Sequence, residues 1–164
     1  MMSDLAGARD RSTRGQAMVE FALIAPIFFL VLFGLIEFGR AVYTIQMLDS
    51  AAREGARYAI VHGSQSACPS GPMPNGAINY CDPNGIRVRN AVRNAAIGVD
   101  PTRLAVTTRW CLDVATCTTG LGNGTNDRNQ TVVVSIAYTY GSLIPLVPLP
   151  DFTLTGGSTL VVNH

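Results

Sequence analysis

The sequence predicts an α+β fold: one long N-terminal helix, membrane-spanning in its first half, packed on a small antiparallel sheet with one short second helix. Three observations carry this. Residues 21–36 hold no charge and are almost wholly apolar. Beyond them, apolar and small residues recur at three- and four-residue spacing as far as Val61, which is a helical period. From Leu104 onward the chain instead alternates in short runs separated by Gly, Asn, Asp and Pro, which is a strand pattern.

The apolar run comes first. Sixteen positions lie between Glu20 and Glu37, and at ~1.5 Å per residue they cover roughly 24 Å. Ala17, Met18, Val19 and Phe38 extend it toward the ~30 Å hydrocarbon core of a bilayer. A buried core helix in a chain this size shows a polar face, and this run shows none for about four turns. A secretory signal peptide would end at small residues. Here the run passes into Ile36-Glu37-Phe38-Gly39-Arg40 instead, so the segment reads as retained. Pro26 predicts a kink near Ala22, and Gly34 and Gly39 leave room for another helix to approach.

Before the run, Met1 to Arg14 is polar, lacks periodicity and reads as disordered. Arg9, Arg11 and Arg14 just ahead of the span favour a cytoplasmic N-terminus. Arg40, Arg53 and Arg57 weaken that asymmetry, so the orientation rests partly on the cysteines.

After the run the helix turns amphipathic. Val42, Ile45, Leu48, Ala52, Gly55 or Ala56, and Ala59 share a face, while Glu37/Arg40, Asp49/Arg53 and Glu54/Arg57 are spaced for pairing opposite it. One rod is therefore expected from about Gln16 to Val61, ending at His62-Gly63. Ala51, Ala52, Gly55, Ala56 and Ala59 make a flat face on which a sheet or helix packs closely. Gly63 to Pro83 is loop, and a second helix is expected over Ile86 to Ile97, stopped by Asp100-Pro101. Its Val88, Ala91, Val92 and Ala95 face inward and Arg87, Arg89 and Arg93 outward.

Three strands follow: Leu104 to Leu112, Gln130 to Tyr140, and a third made of 152–155 and 158–162, with a bulge expected at Gly156-Gly157. Asp113 to Asn129 reads as loop. The apolar connector Leu143 to Pro150 has too many prolines for a central strand, and suits an edge cover, a partner contact or a lipid contact.

Four cysteines, Cys68, Cys81, Cys111 and Cys117, all lie beyond the span, which suits an oxidising compartment. Cys68–Cys81 and Cys111–Cys117 each close a short polar loop and are the expected disulfides. A zinc site would bring C-x-x-C pairs, which these spacings lack. The organisation is thus 1–15 as a basic leader, 16–62 as the helix, and 63–164 as an extracytoplasmic α+β domain with two disulfides.

Chemistry is sparse. His62 and His164 are the two histidines, one at a helix end and one at the terminus, and no phosphate loop or nucleophile elbow appears. The loop Asn123 to Asn129 lacks calcium-loop spacing, and its two N-x-T sequons are short patterns. We therefore expect no enzyme, no cofactor and no metal. The formal net charge is +1 and all twelve basic residues are arginine; beyond the leader the chain is a neutral domain without basic clusters, which argues against a nucleic-acid partner. Without residues 1–15, which hold three Arg and two Asp, the remainder is formally neutral.

Glu20 needs its own account. A carboxylate costs about 2.5–3.5 kcal/mol at the centre of a span and less at its edge, where a helix N-terminus favours negative charge. Cutting after Gly15 would make Gln16 the first residue and Glu20 the fifth. A new amino terminus at the membrane surface would be positive, and Glu20 of a neighbouring copy would neutralise it.

Arg14-Gly15-Gln16-Ala17-Met18-Val19-Glu20-Phe21 resembles the cleavage motif of type IVb prepilins and pseudopilins: a basic leader, Gly, four residues, then Glu-Phe or Glu-Tyr. The longer pattern G-Q-A-M-V-E-F-A-L-I-A-P, with Ala51-Ala52-Arg53-Glu54-Gly55-Ala56-Arg57, is similar to TadE-like proteins of the tight-adherence (Tad/Flp) pilus. The resemblance implies a pseudopilin or minor pilin, cut by a prepilin peptidase between Gly15 and Gln16 and acting in pilus assembly. Glu20 and Phe21 would set processing register or subunit pairing. Its implied partners are the membrane, the peptidase, other pilin subunits and the assembly machinery. Its implied location is the cytoplasmic membrane, C-terminal domain outside. The alternative is an unprocessed single-pass protein whose outer domain binds or adheres, and a secreted enzyme is third.

Overall fold

The computed structural model describes residues 5–119, 122–142 and 151–163, with only the backbone described for residues 5–14, 118 and 119. It divides into two compact units, residues 1–40 and 41–164. The fold is α+β, as the patterns predict.

The first unit is helix. Helix α1 spans Leu5–Val61 and takes Pro26 into its interior. Residues 5–14, expected to be disordered, are helical, so the helix starts about ten residues earlier than Gln16. Once an apolar helix exists, each added residue gains a hydrogen bond without a new nucleation cost, and Ala6, Ala8, Arg9 and Arg11 are good helix formers. The first four residues lie outside the described set. Through the apolar run the large side chains, Phe21, Leu23, Ile27, Leu30 and Phe38 among them, are all exposed. Glu37 and Arg40 pair at 3.5 Å near its end.

The second unit is built around the last five turns of α1. Leu48, Ala51, Ala52, Ala56 and Ala59 are fully buried and form the core with Val88, Val92, Trp110, Val132, Val134 and Ile136. The small-residue face thus does what its composition predicts: it lets the sheet and the second helix approach the α1 backbone. Gly55 marks the tightest point. A Cβ there would run into Val92 and meet Val134 at 3.5 Å, so α1, α2 and β2 converge on it.

Helix α2 spans Ile86–Ala95, two residues shorter than expected, and buries Val88 and Val92. Among the described residues the sheet has three antiparallel strands in order β1-β2-β3: β1 Leu104–Cys111, β2 Thr131–Tyr140 and β3 Phe152–Val161. Between β1 and β2 lies a short α3, Val114–Thr119, where a loop was expected.

Leu104 stands opposite Tyr138 in β1/β2, and Tyr140 opposite Phe152 in β2/β3. The expected bulge at Gly156-Gly157 is absent: the register runs unbroken from Thr131↔Val161 to Tyr140↔Phe152. The glycines serve close approach instead. A Cβ on Gly156 would lie 2.7 Å from Leu48 Cβ, and the Gly157 N–H donates to Asp49 Oδ1 at 3.1 Å. Asp49 therefore bonds the strand backbone rather than Arg53, the partner its spacing suggested. The connector 143–150 and His164 lie outside the described residues.

Candidate processing and assembly segment

The candidate segment, Gly15 to Phe21, lies on α1 with every residue exposed. Gly15 stands in open space, with nothing within 4 Å of where a Cβ would be. Glycine is the non-proline residue least favourable to a helix, by roughly 1 kcal/mol relative to alanine, so the backbone at Gly15 is the easiest on this stretch to draw out straight. Gln16 and Glu20 are four residues apart, which puts them on one face about 6 Å apart along the axis. Phe21 follows on the adjoining face, exposed to whatever surrounds the helix.

After that segment the helix is a surface for an apolar environment. Residues 15–61 include an 18-residue window of mean hydropathy 2.6, none of it buried, which is long and apolar enough to cross a membrane once. Exposure of this many large apolar side chains is stable only against lipid or other helices.

The cysteines meet in the expected pairs. Cys68–Cys81 and Cys111–Cys117 have Cα–Cα separations of 5.5 and 5.4 Å, both in the ordinary disulfide range. Around the first staple the backbone is held by side chains that pattern reading passed over. Asn79 donates to the carbonyls of Pro69 and Gly71 and accepts from the N–H groups of Cys81 and Asp82. Asp82, buried, accepts from Ser70 Oγ at 2.8 Å and from the Ile86 and Arg87 N–H groups, so it caps α2 from four residues upstream. The signal was present as Asp82-Pro83-Asn84-Gly85 just before a helical period.

Trp110, the single tryptophan, packs its ring against Gly71 and Gly85, both at positive φ. A Cβ on Gly85 would stand 2.6 Å from the ring. Asn126 ties the outer loops together, its N–H donating to Pro72 O at 2.7 Å and its carbonyl accepting from Ser64 N. That is the work of the Asn123–Asn129 loop. Among the described residues no group of three or more His, Cys, Asp or Glu is placed to hold a metal ion. His62 is half-buried rather than free in solvent. Its ring stacks on Tyr58 with centroids 4.0 Å apart, and Nδ1–H donates to the Tyr58 carbonyl at 2.9 Å, which closes the end of α1.

Residues 15–57 match the family model described as TadE-like protein, the family this stretch resembles. The match covers the candidate segment, the apolar run and most of the small-residue face. No curated protein and no solved structure matches the chain.

Proposed function

With residues 15–57 TadE-like, we propose that the protein is a pseudopilin or minor pilin of a tight-adherence pilus, cut after Gly15 by a prepilin peptidase. The observation that carries the reading is the register of Gly15 and Glu20 at the head of an exposed apolar helix. The role is structural, not catalytic. The peptidase needs an extended backbone at the scissile bond, and Gly15 gives way there at the least cost. Cleavage leaves a positive amine on Gln16 at the membrane surface. Glu20 of an adjacent copy neutralises it, and this offsets the cost of holding a carboxylate near hydrocarbon.

In this reading the chain lies in the cytoplasmic membrane, N-terminus inside, with residues 63–164 outside where their disulfides persist. The outer part is much larger than in the short major pilins of such systems, which favours a minor, tip or initiating subunit.

Intact mass and N-terminal sequence of the protein from its native membrane test the cut: a chain beginning at Gln16 supports it, and one beginning at Met1 or Met2 sinks it. Glu20→Gln should reduce piliation while leaving insertion and cleavage intact. Normal piliation in that variant would remove Glu20 from the mechanism.

A second reading, an unprocessed anchored protein with a binding domain, is favoured by one feature. The stapled loop presents Tyr80, 89% exposed, beside exposed Ile78. Gly15→Ala separates the two, because only the processed protein would change in size.

A further inference from the structure

The exposed side of α1 changes chemistry inside the second unit. Val42, Tyr43 and Ile45 are 37%, 58% and 38% exposed, whereas the exposed residues two turns further on are Arg53, Glu54 and Arg57. Along the sequence of α1, exposed apolar side chains therefore recur from Ala17 to Ile45, with Glu20 near one end and the paired Glu37 and Arg40 among them. At ~1.5 Å per residue this stretch measures about 43 Å along the helix. That exceeds the ~30 Å hydrocarbon core and equals the ~40–45 Å of a bilayer with both headgroup zones.

The sheet brings a second element to the same end of residues 41–164. Gly55 faces Val134, which pairs with Ser158, and Gly156 lies against Leu48. Following β3 from Ser158 to Phe152 thus runs along α1 from Gly55 through Leu48 toward Ala41. Phe152 opens β3, is 42% exposed, and holds its ring 5.0 Å from that of Tyr140. Ala41 follows Phe38, the last residue of the apolar run, by three positions.

We propose that Val42, Tyr43, Ile45 and Phe152 form a lipid-facing seat, and that this end of the outer unit rests in the headgroup zone of the bilayer. The proposal rests on the membrane reading of α1 given above. Lipid suits the site better than a second protein because Val42, Tyr43 and Ile45 follow Phe38 by only four to seven positions on the same helix. Tyrosine at such a level keeps its ring among the acyl chains and its hydroxyl in water. The charged side of α1 begins where the headgroups would end.

The chain has no free cysteine, so single labels are clean. Ile45→Cys, Phe152→Cys, Ile27→Cys and Tyr80→Cys, each in the full chain, would carry an environment-sensitive fluorophore. Single copies would be placed in phosphatidylcholine nanodiscs containing lipids spin-labelled near the headgroup or deep in the chain. The proposal expects the Ile45 and Phe152 labels to lose most of their emission to the shallow quencher, and the Tyr80 label to lose almost none. Ile45 and Phe152 labels that behave like Tyr80 overturn the seat while an Ile27 label quenched by the deep lipid leaves the membrane reading standing. An Ile27 label that escapes both quenchers overturns the two together. Labels at 45 and 152 that are blue-shifted yet unquenched also overturn it, because they would be covered by protein.

Discussion

Two parts of one helix solve opposite problems. Over residues 21–36 α1 carries Phe, Leu, Ile and Val in every direction and buries none of its large side chains fully. Over residues 48–59 it carries Ala and Gly on one face and buries that face completely. Hydrophobicity alone does not explain the difference, since the more apolar part is the more exposed. Large apolar side chains outward mean that the surroundings are the solvent, as lipid is. Small side chains inward mean that another backbone must come close, as Val92 and β2 do at Gly55. The same secondary structure therefore serves as an anchor in one part and as a core wall in the other.

The sharpest way to separate the two parts is to weaken one while watching the other. Trp110 is the sole tryptophan and lies in the second unit's core, so its fluorescence reports that unit alone. Replacing Cys68 and Cys81 together by Ser opens a loop of sequence separation 13, and should lower stability by about 3 kcal/mol. Urea titration of the full chain in micelles would show it as an earlier Trp110 transition, with the helical circular-dichroism signal of the apolar run retained. An unmoved midpoint would mean that the hydrogen bonds of Asn79 and Asp82 hold the loop without the covalent staple.

Those hydrogen bonds supply the next test. Asp82→Ala removes the acceptor for Ser70 Oγ and for two backbone N–H groups at the start of α2. The loss should be about 2 kcal/mol by the same titration. Asp82→Asn, which keeps one acceptor oxygen, should lose less. Equal losses would show that the charge, not the acceptor geometry, holds this end of the helix.

A pair of glycines then compares the two parts directly. Gly55→Ala places a methyl against Val92, costing about 1–3 kcal/mol, partly offset by about 1 kcal/mol of helix propensity, for a net loss near 1 kcal/mol. Gly34→Ala meets nothing within 4 Å and should leave the Trp110 transition unmoved. A Gly34 variant as damaging as the Gly55 one would break the distinction between anchor and wall.

What was legible in the sequence follows the same division. The apolar run, the small-residue face, the three strands and both disulfide pairs are repetitive or short-range patterns, and residues such as Ala51, Ala52 and Cys81 state them plainly. The misses depend on single side chains meeting distant backbone. Asp49 looked like half of a helix ion pair, yet Gly157 stands across from it in space, 108 positions on. The glycine pair in β3 looked like a bulge because nothing local shows that Leu48 lies against it. Helix α3 was hidden because six residues carry too little periodicity, although Asp113-Val114-Ala115-Thr116 is a capping pattern. Asp113 Oδ1 accepts from Thr116 N at 2.7 Å, and Thr116 Oγ1 accepts from Asp113 N at 3.2 Å.

That cap and its neighbour give the smallest expected effect, and it is a pH effect. The Asp100 carboxylate accepts the Thr102 hydroxyl and then the Thr102 N–H, and these bonds hold it below its ordinary value of 3.8. Asp113 is held below the same value chiefly by the Thr116 N–H, with the Thr116 hydroxyl second. Each bond favours the ionised form, and each is lost when the chain unfolds. A carboxylate with a depressed folded pKa adds stability that is fully present above its unfolded value. That contribution is lost as pH falls through the folded value, so stability declines on acidification from about pH 4 downward. Both groups lie on the exposed surface, so the contribution is small. A double variant, Asp100→Asn with Asp113→Asn, should unfold slightly before the native chain at about pH 6, where the native carboxylates are charged. The gap should close at a pH beneath both lowered folded values, where both native carboxylates are protonated. A gap of the same size at both pH settings would show that the two caps act through shape alone, with no share for their charge.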